Sequence, residues 1–255
     1  MKTFTFIAIT LLAGAIAGTI LGAVNQIAVE PYIERAIELE MRNVAQSGQV
    51  MNDPSEFAAY RFWQKGGEII AGTILGLSIG SLYGIVFAYT HGSISGTTNN
   101  NKKKALIIAG IMWFVLFLMP ALKYPPNPPA VGDPETIYYR QSLYVGFLAI
   151  SGFSALGLAF LYRKMVLASS NNTKKAIIMI PSAYAAIMAG AYLAMPANPD
   201  PINAPIDLVM GFRITSAITV SMFWALLSVI FGALWDKANF VSNKKIAARH
   251  NSNSS

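Results

Sequence analysis

The sequence predicts an all-α, polytopic integral membrane protein with six transmembrane helices. Three observations carry that reading. Charged residues make up only 12% of the 255, about half the roughly 25% of an ordinary soluble domain. Hydrophobic residues reach 54% and the mean hydropathy is +0.47. Six apolar stretches, at residues 3–24, 68–90, 105–121, 142–162, 176–195 and 208–235, each reach the roughly 17–25 residues that a helix needs to cross the bilayer core, the last being long enough to tilt or extend beyond it. A soluble chain so poor in charge could not cover its own surface. Disorder and a nucleic-acid-binding tail are excluded on the same ground, and the absence of cysteine excludes a disulfide-stapled domain.

The first stretch follows Met1-Lys2 and outruns the roughly 7–15-residue core of a cleaved leader, so it is read as a retained span. Gly14, Gly18 and Gly22 line one of its faces, and Gly72, Gly76, Gly80 and Gly84 line a face of the second span. Small residues every four positions let helix backbones approach closely in lipid, so both stripes are read as helix packing. Between these spans, residues 25–66 carry an apolar stripe of Val29, Ile33, Ile37 and Met41 beside an acidic one of Glu30, Glu34 and Glu38. That pattern suits a surface helix with a solvated acidic face, Arg42 offsetting Glu38.

Charge sets the expected orientation. The N-terminus, residues 91–104 and 163–175, and the segment after Trp235 hold twelve Lys/Arg and one acid, Asp236, whereas the other three connections hold seven Lys/Arg and eleven acids. The basic side is expected to be cytoplasmic, with both termini inside a prokaryotic plasma membrane.

The chain also repeats itself. NNKKKA at residues 100–105 returns as NNTKKA at 171–176, and at the same spacing Pro125, Asn127, Pro128 and Pro134 map to Pro196, Asn198, Pro199 and Pro205. Arg140 maps to Arg213 after a two-residue shift. A looser echo places Ser81, Gly84 and Phe87 before Ser154, Gly157 and Phe160. An even number of spans per unit gives a parallel repeat. The expectation is one membrane domain over 1–255, built of three hairpins at about 1–99, 100–170 and 171–235 and followed by a basic polar tail at 236–255.

Little here suits catalysis. There is no thiol, and the two histidines, His91 and His250, fall in an expected loop and in the tail. They are read as solvated surface residues, and the chain as no enzyme. The two outer proline loops are more informative. Pro125, Pro128, Pro196 and Pro199 make them stiff and poor in backbone donors. One reading makes each loop a lid stapled to its next helix, Arg140 by Asp133 and Glu135, Arg213 by Asp200 and Asp207. The other lets both loops converge and offer Asp133, Glu135, Asp200, Asp207, Asn127 and Asn198 as oxygen ligands to a divalent cation.

The stretch 122–140, LKYPPNPPAVGDPETIYYR, with a proline-rich loop between two spans and an Arg opening the next helix, resembles the CbtA family of cobalt transporter subunits. The resemblance implies import of Co²⁺ for corrinoid synthesis, with the ion as transported cargo and no tightly bound cofactor. It also implies a small one-span, histidine-rich partner (CbtB-like) in the lipid bilayer. Oligomerisation is left open, and the alternative is a non-transporting accessory or scaffold subunit with an exposed small-residue groove for a partner helix.

Overall fold

The computed structural model describes residues 3–46, 54–92, 100–129, 131–168, 172–200 and 202–252, the last twelve of these by backbone alone. In order they form α1 (Thr3–Ala28), α2 (Glu30–Gln46), α3 (Pro54–Thr90), α4 (Asn101–Trp113), a π-helical turn (Phe114–Leu118), α5 (Met119–Lys123), a 3-10 turn (Pro134–Thr136), α6 (Ile137–Ala168), α7 (Asn172–Ala194) and α8 (Ile206–Ser252). Among the described residues there is no strand. Six helical segments among them are long and apolar enough to cross a membrane: Thr3–Ala28, Ser55–Thr90, Asn101–Lys123, Pro134–Leu167, Thr173–Ala194 and Ile206–Phe240.

Helix ends differ most from expectation where hydropathy is blind to them. The second helix begins at Pro54 rather than near Glu68, with proline and Glu56 in its first turn; both suit a helix start, and neither registers as lipid-like. α1 stops at Ala28 and α2 starts at Glu30, with Pro31 in its first turn having no N–H to continue the α1 ladder. The expected surface helix is present as α2, and Arg42 lies 3.9 Å from Glu38. Glu30 corrects the expected solvated stripe, since it is only 7% exposed while Glu34 and Glu38 face out.

The chain packs as two groups of helices: residues 1–28, 52–110 and 218–255, and residues 29–51 and 111–217. Each draws on all three predicted hairpins.

In the first group α1 lies directly on α3 through the two glycine stripes. A β-carbon at Gly76 would strike the Gly14 carbonyl and come within 2.7 Å of the Gly18 Cα; one at Gly18 would strike the Gly72 carbonyl. Gly80 and Gly84 meet Gly14 and Thr10 in the same way, and Gly22 meets Glu68 and Ile69. The hydroxyls of Thr19 and Thr73 share a hydrogen bond of 2.8 Å across this seam. Elsewhere in the group Phe6, Tyr83, Phe87, Phe231 and Trp235 pack edge to face, and the Tyr83 hydroxyl donates to the Ala105 carbonyl at 2.9 Å. His91, expected as a solvated loop residue, instead stacks on Phe87 with ring planes 4° apart.

In the second group α6 packs on α7 and on the third span, around Val115, Tyr124, Leu143, Phe147, Tyr184 and Met188. The π turn follows from Pro120. Met119 N–H bonds back to the Phe114 carbonyl, and the residue that a π register would aim at the Val115 carbonyl is Pro120, which has no N–H. Val115 O therefore lacks a backbone donor. The Ser151 hydroxyl supplies one at 2.6 Å, and Ser151 in turn receives the Tyr184 hydroxyl at 2.7 Å.

Two stability tests follow. Gly76→Ala should cost about 1–3 kcal/mol through overpacking, measured by denaturant titration in detergent, whereas Gly157→Ala, with open space at its Cβ, should be close to neutral. Ser151→Ala should cost about 1–3 kcal/mol by orphaning a buried carbonyl. Adding Pro120→Ala returns a backbone donor, so the double mutant should lose less than the sum of the singles by at least about 0.5 kcal/mol.

Candidate functional site

The site is the pair of proline loops, which the second helix group brings together. Proline removes N–H donors and leaves carbonyls, so such loops hold acceptors that only side chains can satisfy. Arg213, opening the last span, donates through Nε to the Pro126 carbonyl at 3.2 Å and through Nη2 to Asn127 Oδ1 at 2.7 Å. Arg140 donates to the carbonyls of Val131 and Asp133 at 3.2 and 3.1 Å. Tyr124 donates its hydroxyl to the Pro196 carbonyl at 2.6 Å, and Lys123 its ammonium to the Tyr192 carbonyl at 2.8 Å. Burial, and then the neighbouring Tyr139, push the Tyr124 phenol above its ordinary range. It thus remains a donor throughout the physiological range.

The charge pairing crosses between the loops. Arg140 pairs not with Asp133 or Glu135 but with Asp200 of the second loop, Nε to Oδ2 at 2.9 Å, the two side chains being 21% and 6% exposed. The same Asp200 oxygen accepts Asp133 N–H at 2.9 Å and lies 2.6 Å from the Thr136 hydroxyl. Arg213 in turn takes Asn127 of the first loop rather than Asp200 or Asp207. Asp207 pairs with Arg35 of α2 at 2.8 Å, both ends being more than half exposed. Arg140 thus ties its own loop to the second one, and Arg213 secures the loop that does not precede it. Asp133 accepts Glu135 N–H at 2.9 Å as the cap of the 3-10 turn, and Asn198 accepts Asp200 N–H at 3.1 Å within its own loop. The Asp133 and Glu135 residues are exposed.

Gly132 makes the junction possible. Its φ is +99°, and a β-carbon there would lie 2.5 Å from Asp200 Oδ2 and 2.8 Å from Arg140 Nη1. Pro125, Pro126, Pro128 and Pro129 wall a cavity of about 580 Å³ together with Tyr144 of α6, and Asn127, Arg140, Gln141 and Asn198 supply polar atoms. Pro199 sits beside Asp200 in the second loop. Among the described residues no three of His, Cys, Asp and Glu come close enough to hold a metal ion. Lys123, Tyr124, Gly132, Thr136 and Arg35 are contributors that sequence reasoning missed. Only Gly132, a glycine amid prolines, left a trace that could have been followed.

Six membrane-length helices, with two braced loops beside a cavity, define a multi-pass membrane protein. The family model described as "Probable cobalt transporter subunit (CbtA)" matches residues 3–236. The chain belongs to the CbtA family, and as a transporter subunit it works with partners. No curated protein and no solved structure matches it.

Breaking the cross-brace from one side should be worse than removing it. Arg140→Gln leaves a buried carboxylate uncompensated and should cost about 3–5 kcal/mol. Arg140→Gln with Asp200→Asn should be milder than Arg140→Gln alone, which a double-mutant cycle on detergent-solubilised protein measures.

Proposed function

We propose that this chain is the membrane subunit through which Co²⁺ moves inward across a prokaryotic plasma membrane to feed corrinoid synthesis, with both termini cytoplasmic. The observation that carries the reading is the family match across residues 3–236. The chemistry of the cap supports it. Asp200, Asp207 and Asn127 are held by arginines and serve the shape of the loops. Asp133 and Glu135 are left as an exposed acidic rim beside a cavity whose polar lining includes Asn127, Gln141, Tyr144 and Asn198. Such a rim raises the local concentration of a divalent ion and holds it weakly, which suits passage. Co²⁺ favours imidazole nitrogen, and the strong ligands would come from a one-span, histidine-rich CbtB-like subunit.

The accessory-subunit alternative asked for an exposed groove of small residues. Gly14, Gly18, Gly72 and Gly76 are instead covered by one another, so that reading loses its anchor.

The test is uptake of radiolabelled Co²⁺ by cells carrying this protein and the histidine-rich subunit. Asp133→Asn with Glu135→Gln should lower uptake about tenfold at subsaturating Co²⁺, through loss of local enrichment, with a smaller effect at saturation. Unchanged uptake removes the acidic rim from the mechanism. Absence of uptake with every partner combination returns the accessory reading.

A further inference from the structure

We propose that a cleft between the start of α4 and the later part of α8 binds one anionic phospholipid, its phosphate held by Lys102 and Lys103. The cleft measures about 230 Å³, with Asn100, Lys102 and Lys103 at one end and Leu106 and Val229 among its apolar walls. The two lysines open the third membrane-length segment, Asn101–Lys123. Leu106, a turn deeper, is 55% exposed, and Val229 is 62% exposed. A cationic mouth above apolar walls open to the hydrocarbon complements a charged headgroup on an acyl chain.

The backbone amides of Lys102 and Lys103 are not the anion's donors, because Asn100 Oδ1 already accepts both, at 2.9 and 3.2 Å. The ammonium groups do that work. Lys102 Nζ is 3.9 Å from Asp236 Oδ2, a loose pair between largely exposed side chains, so its charge remains open to a stronger partner. Gly232, next to the lining residue Ala233, sets how closely Lys102 lies against α8. A β-carbon there would lie 3.2 Å from Lys102 Cα and 3.3 Å from its Cγ, so glycine is what lets the lysine stem lie against α8. The exposed apolar walls, Leu106 and Val229, favour a phospholipid over a soluble anion.

Native mass spectrometry of the full-length protein, delipidated and then given phosphatidylglycerol or phosphatidylcholine, tests this. One phosphatidylglycerol should be retained on the order of tenfold better than phosphatidylcholine. Lys102→Gln with Lys103→Gln should abolish the preference. Lys174→Gln with Lys175→Gln, the lysine pair at the head of α7 that the repeat aligns with Lys103 and Lys104, should preserve it. Gly232→Ala, which keeps every charge but pushes the Lys102 stem away from α8, should weaken retention. Equal losses from both lysine pairs would reduce the effect to diffuse charge and overturn the site. So would equal retention of the two lipids, or undiminished retention in both the lysine and the glycine variant of the cleft. Displacement of the lipid by millimolar glycerol phosphate would assign the cleft to a soluble anion instead.

Discussion

Proline takes away hydrogen-bond donors, and much of the second helix group is arranged around replacing them. In the loops the carbonyls of Pro126, Val131, Asp133 and Pro196 receive side-chain donors from Arg213, Arg140 and Tyr124. Inside the bundle Pro120 deprives the Val115 carbonyl of a backbone donor, and Ser151 fills the gap. An unpaired buried carbonyl costs about 1–3 kcal/mol, so each deficit selects for a donor nearby. The donor usually stands on another segment. A local shortage is thereby converted into a long-range tie, which is how loops without regular structure acquire a fixed shape.

The same arrangement limits the chemistry left over. Arg140 and Arg213 each provide several donors in a planar fork, well matched to carbonyls and carboxylates together. Having drawn in one carboxylate, Asp200, and one neutral amide, Asn127, they leave the cap with a surplus positive charge at Arg213 and an acidic margin around Asp133 and Glu135. A site of that kind cannot compete for a transition metal against imidazole or thiolate ligands.

The spans were legible because hydropathy over about 20 residues is a strong signal. The glycine stripes were legible because a four-residue period of small side chains has few other uses in lipid. Helix ends were less so: α3 begins at Pro54, where Arg61 and Lys65 lower the hydropathy without opposing helix. That the proline loops would meet could be read from their repeat relation, and that arginine and acid would secure them from composition. Which arginine takes which acid could not. Sequence proximity assigns Asp133 to Arg140 and Asp200 to Arg213, whereas Arg140 takes Asp200 and leaves Asp133 as a cap. Once two loops are in contact, the partner across the junction is as near as the partner along the chain. Gly132 escaped notice for a related reason, since what forbids a side chain there is Asp200, distant in sequence. Glu30 likewise reads as one of three equivalent acids, and only packing separates the buried one from the exposed pair.

The two helix groups are held by opposite means, and this bears on where an ion could pass within the chain. In the first, backbone rests on backbone: Gly76 against Gly14 and Gly18, and Gly72 against Gly18 and Gly22. Contact so close leaves no room for a hydrated or ligated cation, and separating the helices would expose peptide groups to lipid without compensation. In the second group the interior already contains a break in helical register and a chain of oxygens, Val115 carbonyl to Ser151 to Tyr184. Hydroxyls can rotate between acceptors, and the register break at Pro120 already leaves the helix short of one backbone bond. Any movement that admits an ion therefore costs less in the group that also carries the proline cap, and the glycine-sealed pair is the firmer scaffold.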